Sequence, residues 1–312
     1  MDLTMALAGL GVGIVVGLTG MGGGALMTPI LVLLFGVPPI AAVSSDLAAS
    51  AVMKPFGGAV HARRGTVNWR LVGWLCAGSV PSAFLGVLLL RMIGDDAATQ
   101  HTIKIALGAA LLLAAAGLVL KAWTGRRRPA ETAPEPVRVR PLPTLALGVV
   151  GGLVVGLTSV GSGSLIIVVL LAIYPKLRAN DLVGTDLVQA IPLVLSAALG
   201  HALFGDLHLD ITGAVLLGSI PGVLIGARIS SRAPVALIRT ALVVVLLASA
   251  LKLLDVPTAA VGVITGAAVL AAVVTAVVTR SRTGRVTVPS LRPARAGSIP
   301  AARPAAAELA RD

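Results

Sequence analysis

The chain is short of charge: Asp, Glu, Lys and Arg make up 12% of its 312 residues, about half of the roughly 25% that soluble domains carry. Aromatic residues are scarcer still, at 3%. A single cysteine, Cys76, excludes an intrachain disulfide and a thiolate metal site. The four histidines, at 61, 101, 201 and 208, fall into no metal-ligand or catalytic pattern, so neither a metal nor a cofactor is expected. Acids are outnumbered, 13 against 25 Lys and Arg, for a formal charge of +12. In a soluble chain that excess would suggest a nucleic-acid partner; the placement of the cations argues for no nucleic acid. What is plentiful is hydrocarbon, at 56% of residues and a mean hydropathy of +0.98. Apolar runs of about twenty residues, enough to cross a core of about 30 Å, recur from Ala6 to Thr279. The expected class is an all-α, polytopic integral membrane protein.

Spans are expected near 5–20, 40–60, 69–90, 102–123, 143–158, 182–204, 210–228, 235–253 and 258–279. Two further pieces, Gly24–Phe35 and Ser164–Tyr174, are about a dozen residues each and closed by prolines. A dozen helical residues reach only about 18 Å, so these read as broken or re-entrant half-helices, each paired with the preceding span as a hairpin. The N-terminus lacks the basic region of a cleaved signal and reads as a retained first span.

Nineteen of the 25 cations fall into four clusters, around Arg63–Arg70, Lys121–Arg140, Arg228–Arg239 and Arg280–Arg311. This is the positive-inside pattern of cytoplasmic connections. It places the N-terminus outside and the C-terminus in the cytoplasm, with Asp95, Asp96, Asp206 and Asp210 outside. The expected organisation is a first transmembrane repeat (1–123), a basic cytoplasmic linker (124–142), a second repeat (143–255), an additional helix (256–279) and a disordered basic tail (280–312) facing anionic lipid headgroups.

The repeat is visible in the residues. Gly17-Leu-Thr-Gly-Met-Gly-Gly-Gly24 returns as Gly156-Leu-Thr-Ser-Val-Gly-Ser-Gly163, 139 positions later. At an offset of 140, Asp46-Leu47 meets Asp186-Leu187, His61 meets His201, and Gly78-Ser79 meets Gly218-Ser219. Asp and His are rare at membrane depth, so their alignment is informative. With an odd number of crossings in each copy, the second enters the membrane the other way up. Inverted repeats with broken helices are an architecture of secondary transporters.

The paired Gly-Leu-Thr-x-x-Gly-x-Gly segments, the Asp some two dozen residues on, the His fifteen later and the following Gly-Ser-x-Pro resemble the sulfite exporter TauE/SafE family over about residues 5 to 255. That resemblance implies a permease of the bacterial inner membrane for sulfite, sulfonates or related small anions, with the proton gradient as a candidate driving force.

The expected substrate-binding residues are Thr19, Gly20, Gly22, Gly23 and Gly24 with Thr158, Ser159, Gly161, Ser162 and Gly163. Bare amides at the start of a short helix can hold an anion; close helix packing through small residues is the alternative, as is hydroxyl bonding within the helix for Thr and Ser. Asp46, Asp186, His61 and His201 are the candidates for proton or ion coupling. N-capping by the two Asp and loop orientation by the two His are the competing readings. Lys54, beside Pro55, reads as a break in the third span whose amine snorkels to the inner surface. The expected partners are a small anionic substrate and the bilayer, with monomer and homo-oligomer both open. A membrane enzyme and an assembly factor are the other classes; no catalytic residue is expected.

Overall fold

The computed structural model describes residues 3–19, 23–94, 97–125, 138–163, 165–175, 177–204, 207–229 and 235–283. Gly20, Met21 and Gly22, the acids Asp95, Asp96 and Asp206, and the tail from 284 lie outside the described residues. Among those described, all regular structure is helical: α1 (Leu3–Thr19), α2 (Gly24–Leu34), α3 (Pro39–Arg63), α4 (Trp69–Ile93), α5 (Ala97–Gly125), α6 (Pro141–Thr158), α7 (Leu165–Ile173), α8 (Ala179–Leu203), α9 (Leu209–Ile229), α10 (Val235–Leu253) and α11 (Thr258–Thr283). Each expected span and each expected half-helix corresponds to one of these. Five of them, α4, α5, α6, α8 and α9, are by themselves long and apolar enough to cross a membrane. Among the described residues, those up to Ala272 form one compact unit and those from Val273 to Thr283 belong to a second.

Local chemistry sets the ends. Pro39 and Pro141 open α3 and α6, where a missing N–H leaves no helical bond unmade. The Asn68 side chain caps α4 by accepting from the Leu71 amide at 3.2 Å. Pro55 sits inside a continuous α3, so the expected break at that residue is absent. α8 likewise carries Pro192 in its interior. A proline in a packed membrane helix is tolerated where neighbours satisfy the freed backbone.

The helices pair by repeat. α1 packs along α9 and α4 along α6, each pair in parallel. Glycines make these crossings close: a methyl on Gly152 or Gly156 would collide with the carbonyl oxygens of Ser79 and Ala83, and one on Gly13 or Gly17 with those of Ser219 and Val223. Gly13 and Gly17 stand at the repeat positions of Gly152 and Gly156, so one small-residue ladder serves both crossings. The equivalent central helices α3 and α8 run antiparallel, with Gly58 on α3 against Val188 and Ile191, and Gly184, early in α8, against Thr66 just beyond α3. α5 and α10 are antiparallel too, since Lys104 meets Asp255 just beyond α10 while Gly108, a turn later, meets Ala250. Equivalent helices that oppose one another across a common axis are what inversion of a repeat means, and the side-chain register therefore carries the inverted architecture.

The second half-helix closes a hairpin. From the end of α6 the chain turns back, and Tyr174, just after α7, accepts from the Arg140 amide at 2.8 Å through its hydroxyl. Arg140 immediately precedes α6, so α7 and the unwound segment before it return to the end where α6 began. Arg70 and Arg138 line one groove of about 720 Å³ with Trp69 and Trp74, which brings the connections preceding α4 and α6 to the same end of the bundle. Leu85, Leu113, Leu199 and Leu224 stay exposed, as a lipid-facing surface requires. Arg178 and Asp181 form an exposed ion pair at the start of α8.

Candidate functional site

The second motif is built by a helix end. α6 stops at Thr158, and Ser159 takes the left-handed conformation with φ 57° while its amide bonds the Val155 carbonyl at 2.7 Å. This is a helix-terminating geometry that normally selects glycine. Beyond it Gly161 and Gly163 have φ of +124° and +99°, which keeps the strand between α6 and α7 unwound. The Leu165 and Ile166 amides close on the Gly161 carbonyl. On the first motif, the Leu26 and Met27 amides close on the Gly23 carbonyl in the same way.

The two motifs meet. A side chain on Gly24 would strike the carbonyl oxygen of Ser159, and the Ser159 and Asp46 side-chain oxygens lie within 3.0 Å of the same point. At this junction Asp46 is fully buried. Its Oδ2 accepts from Ser159 Oγ at 2.7 Å and from Thr28 Oγ1 at 2.9 Å, which ties α3 to α2 and to the end of α6. Its Oδ1 has no hydrogen-bond partner among the described residues and faces Gly23. Asp46 is the eighth residue of α3, as Asp186 is of α8. The helix-capping reading of both is thereby corrected: each helix starts two turns earlier than a cap would need.

Lys54 follows Asp46 on α3 and is only 7% exposed. Its Nζ donates to Ser162 Oγ at 2.6 Å, joining the first repeat to the second motif. It lies within electrostatic reach of Asp186 and of Asp46. The snorkelling reading is therefore wrong. α3 has nine residues beyond Lys54, about 13 Å of helix, more than its stem can span. Asp186 in turn accepts from Gln189 Nε2 at 3.2 Å, and Gln189 Oε1 accepts from Ser79 Oγ at 3.4 Å. Lys54 thus lies between two buried carboxylates, Asp46 toward the Ser159 end of the bundle and Asp186 toward the Thr66 and Asn68 end. Each alone would cost several kcal/mol to desolvate, and the ammonium between them offsets part of that for both acids.

The remaining expected residues lie apart. Thr19 and Thr158 bond the carbonyls of Val15 and Val154 in their own helices, at 2.8 and 2.7 Å. His61 lies at the end of α3, its Nδ1 2.9 Å from Thr66 Oγ1. His201 is fully buried at the end of α8, its Nε2 3.4 Å from the Gly156 carbonyl oxygen. Fifteen residues separate each His from the Asp of its helix, about 22 Å along the axis. Because α3 and α8 oppose, the two imidazoles fall toward opposite ends of the bundle. Gly20 and Gly22 lie outside the described residues.

Thr28, Lys54, Gln189 and Ser79 were not among the expected site residues. Lys54 carried the one available signal, a cation deep in a long span eight positions after an acid. The other three are polar residues whose importance depends on what packs against them.

A model of the sulfite exporter TauE/SafE family matches residues 5–253. A probable membrane transporter protein of Bacillus subtilis, YjnA, is 40% identical over 258 residues, covering 81% of this chain and all of the relative. A second from that organism, the probable membrane transporter protein YdhB, is 26% identical over 231 residues, 74% of this chain and 91% of the relative. No solved structure matches the chain.

Proposed function

From the premise that the chain belongs to the sulfite exporter TauE/SafE family of membrane transporters, we propose that it carries a small anion across the inner membrane by alternating access. The observation that bears most weight is Lys54, a buried cation at the junction of the two repeats, bonded to Ser162 of the opposite motif. Sulfite or a sulfonate fits such a place: the ammonium supplies the opposite charge, and backbone amides of Gly23, Gly24, Gly161 and Gly163 can bond the oxygens. Ser159 and Ser162 add hydroxyls. Antiparallel α3 and α8 form the axis about which the repeats rock, and His61 and His201 stand near the two mouths. The C-terminus is cytoplasmic in this reading. Every group of the site comes from one chain, so a monomer suffices. The reading is of a permease and not an enzyme, in keeping with a family and relatives described as exporters and membrane transporters.

The test is counterflow of radiolabelled sulfite into proteoliposomes, with thiosulfate, sulfoacetate, taurine and short carboxylates as competitors. Wild-type protein should exchange at least one of them, and Lys54→Met should abolish exchange while still inserting. Exchange that survives Lys54→Met would remove the ammonium from the site, and absence of exchange for the whole panel would overturn the anion reading.

A further inference from the structure

We propose that the groove between the start of α4 and the segment leading into α6 binds an anionic phospholipid of the cytoplasmic leaflet, with the phosphate between Arg70 and Arg138 and an acyl chain laid over Gly73 and Ala77. The groove, of about 720 Å³, is lined by Trp69, Arg70, Gly73, Trp74, Ala77 and Arg138. Arg70, Gly73, Trp74 and Ala77 recur at helical spacing and so share one face of α4. It is the face turned away from the protein: these four are exposed, whereas Leu71, Leu75 and Ser79 are buried.

Charge selects the headgroup. The ion pairs among the described residues join Asp255 to Lys104 and His101, and Asp181 to Arg178, so neither guanidinium of the groove is engaged by an acid there. Two such cations attract a phosphodiester and repel the ammonium that a zwitterionic lipid would bring with it. Both are anchored from behind. The Asn68 amide donates to Thr185 Oγ1 at 3.0 Å, tying the start of α4 to α8, and the Arg140 amide donates to the Tyr174 hydroxyl at 2.8 Å, tying down the segment that carries Arg138. A site already held in place loses less freedom on binding.

Depth separates a lipid from a free anion. Arg70 is the second residue of α4, at the end that the cation clusters assign to the cytoplasm, and Ala77 stands seven residues further, about 10 Å along the helix. The groove therefore begins at headgroup level and runs toward hydrocarbon. Trp69 and Trp74, 62% and 42% exposed, suit that boundary, where indole rings collect. A side chain on Gly73 would meet nothing within 4 Å, which leaves a furrow open for a chain. A free oxyanion would use the arginines and leave the apolar furrow unfilled.

The second repeat supplies an internal control. At the offset of 140, Leu209, Asp210, Ala214 and Leu217 stand in place of Trp69, Arg70, Trp74 and Ala77, while Gly213 keeps the place of Gly73. α9 packs along α1 as α4 does along α6, so neither crossing needs the tryptophans or the arginine. There an acid replaces the cation and an exposed leucine replaces the alanine of the furrow.

The test is quenching of tryptophan fluorescence in the detergent-purified full-length chain by phospholipids with brominated acyl chains. Brominated phosphatidylglycerol should quench saturably, and brominated phosphatidylcholine should need far higher concentrations. Arg70→Ala and Arg138→Ala should each raise the phosphatidylglycerol midpoint about fivefold, the attraction of one basic residue to an anionic surface, and Arg70→Lys should retain most of the binding. Gly73→Leu, which has room for its side chain, should fill the furrow and weaken binding with the size-exclusion profile unchanged. Equal midpoints for the two lipids, or a wild-type midpoint in the double arginine variant or in Gly73→Leu, overturn the proposal. Displacement of the brominated lipid by inorganic phosphate or sulfite as readily as by unbrominated phosphatidylglycerol would make the groove a site for free oxyanions and overturn it too.

Discussion

The two repeats share a scaffold and differ in charge. The glycine ladder of α1 against α9 reappears in α6 against α4, and Asp46 and Asp186 occupy the same helical position in α3 and α8. Two turns later the match ends, because the repeat position of Lys54 is Val194. The acids' neighbours differ as well: two hydroxyls for Asp46, an amide for Asp186. Duplication therefore conserved what the backbone needs in order to pack, and divergence was free to act where one cation must serve both halves. A second lysine at Val194 would have buried a second ammonium group, with repulsion that the two carboxylates would only balance.

The sharpest way to break the comparison is to remove the unpaired element. Lys54→Met leaves two buried carboxylates without the cation that lies between them, and loss of one partner from a buried ion pair costs about 3–5 kcal/mol. A large fall in the melting temperature of the detergent-purified protein is expected, and Asp46→Asn added to Lys54→Met should recover much of it. If the double variant is no more stable than the single one, the two charges are not coupled.

Next comes the shared scaffold, where equivalent changes should have equivalent effects. Gly17→Leu and Gly156→Leu each drive a side chain into a backbone carbonyl of the facing helix, and both should reduce folded protein severely in fluorescence size-exclusion profiles. Gly161→Val is a different case. The nearest heavy atoms to its new Cβ are 3.6 Å away, but φ is +124°, a region that costs a β-branched residue about 1–3 kcal/mol. Uptake should fall more than folded yield there; equal loss of both would make Gly161 a packing residue only.

The smallest effect belongs to Asp255, in the turn between α10 and α11. Asp255, between α10 and α11, accepts from Lys104 and stands 3.5 Å from His101. The Lys104 hydrogen bond, aided by the charges of Lys104 and His101, holds its carboxyl below the ordinary value of 3.8. A lowered carboxyl contributes stability that is present above its unfolded value and lost as pH falls through the folded one. The melting temperature should therefore show no Asp255-dependent change between neutral pH and about pH 5 and differ from that of Asp255→Asn only slightly, since exposed pairs contribute little. A marked difference at neutral pH would show the cluster to be more than a surface contact.

How far the sequence reaches is clear from particular residues. Apolar runs, proline boundaries and the two offsets suffice for the helices, the half-helices and the repeat, because a hydrocarbon solvent forces every backbone group into helical bonds and makes length and hydropathy decisive. Asp46 and Asp186 were legible as unusual for the same reason. Their environment was not: with the third span taken as 40–60, Lys54 stood close enough to an end to snorkel, and only the full extent of α3, Pro39–Arg63, puts it out of reach. Nor could spacing along the chain reveal that Ser159 would turn left-handed and aim its hydroxyl at Asp46, or that Ser162 would meet Lys54 across 108 positions. Local sequence determines where a helix can exist in lipid, through solvation that each segment experiences alone. Which partners each buried charge finds is settled by the crossing of α3 and α8 and the meeting of the two glycine motifs, because a charge buried in protein is stable only beside partners that the fold has brought to it.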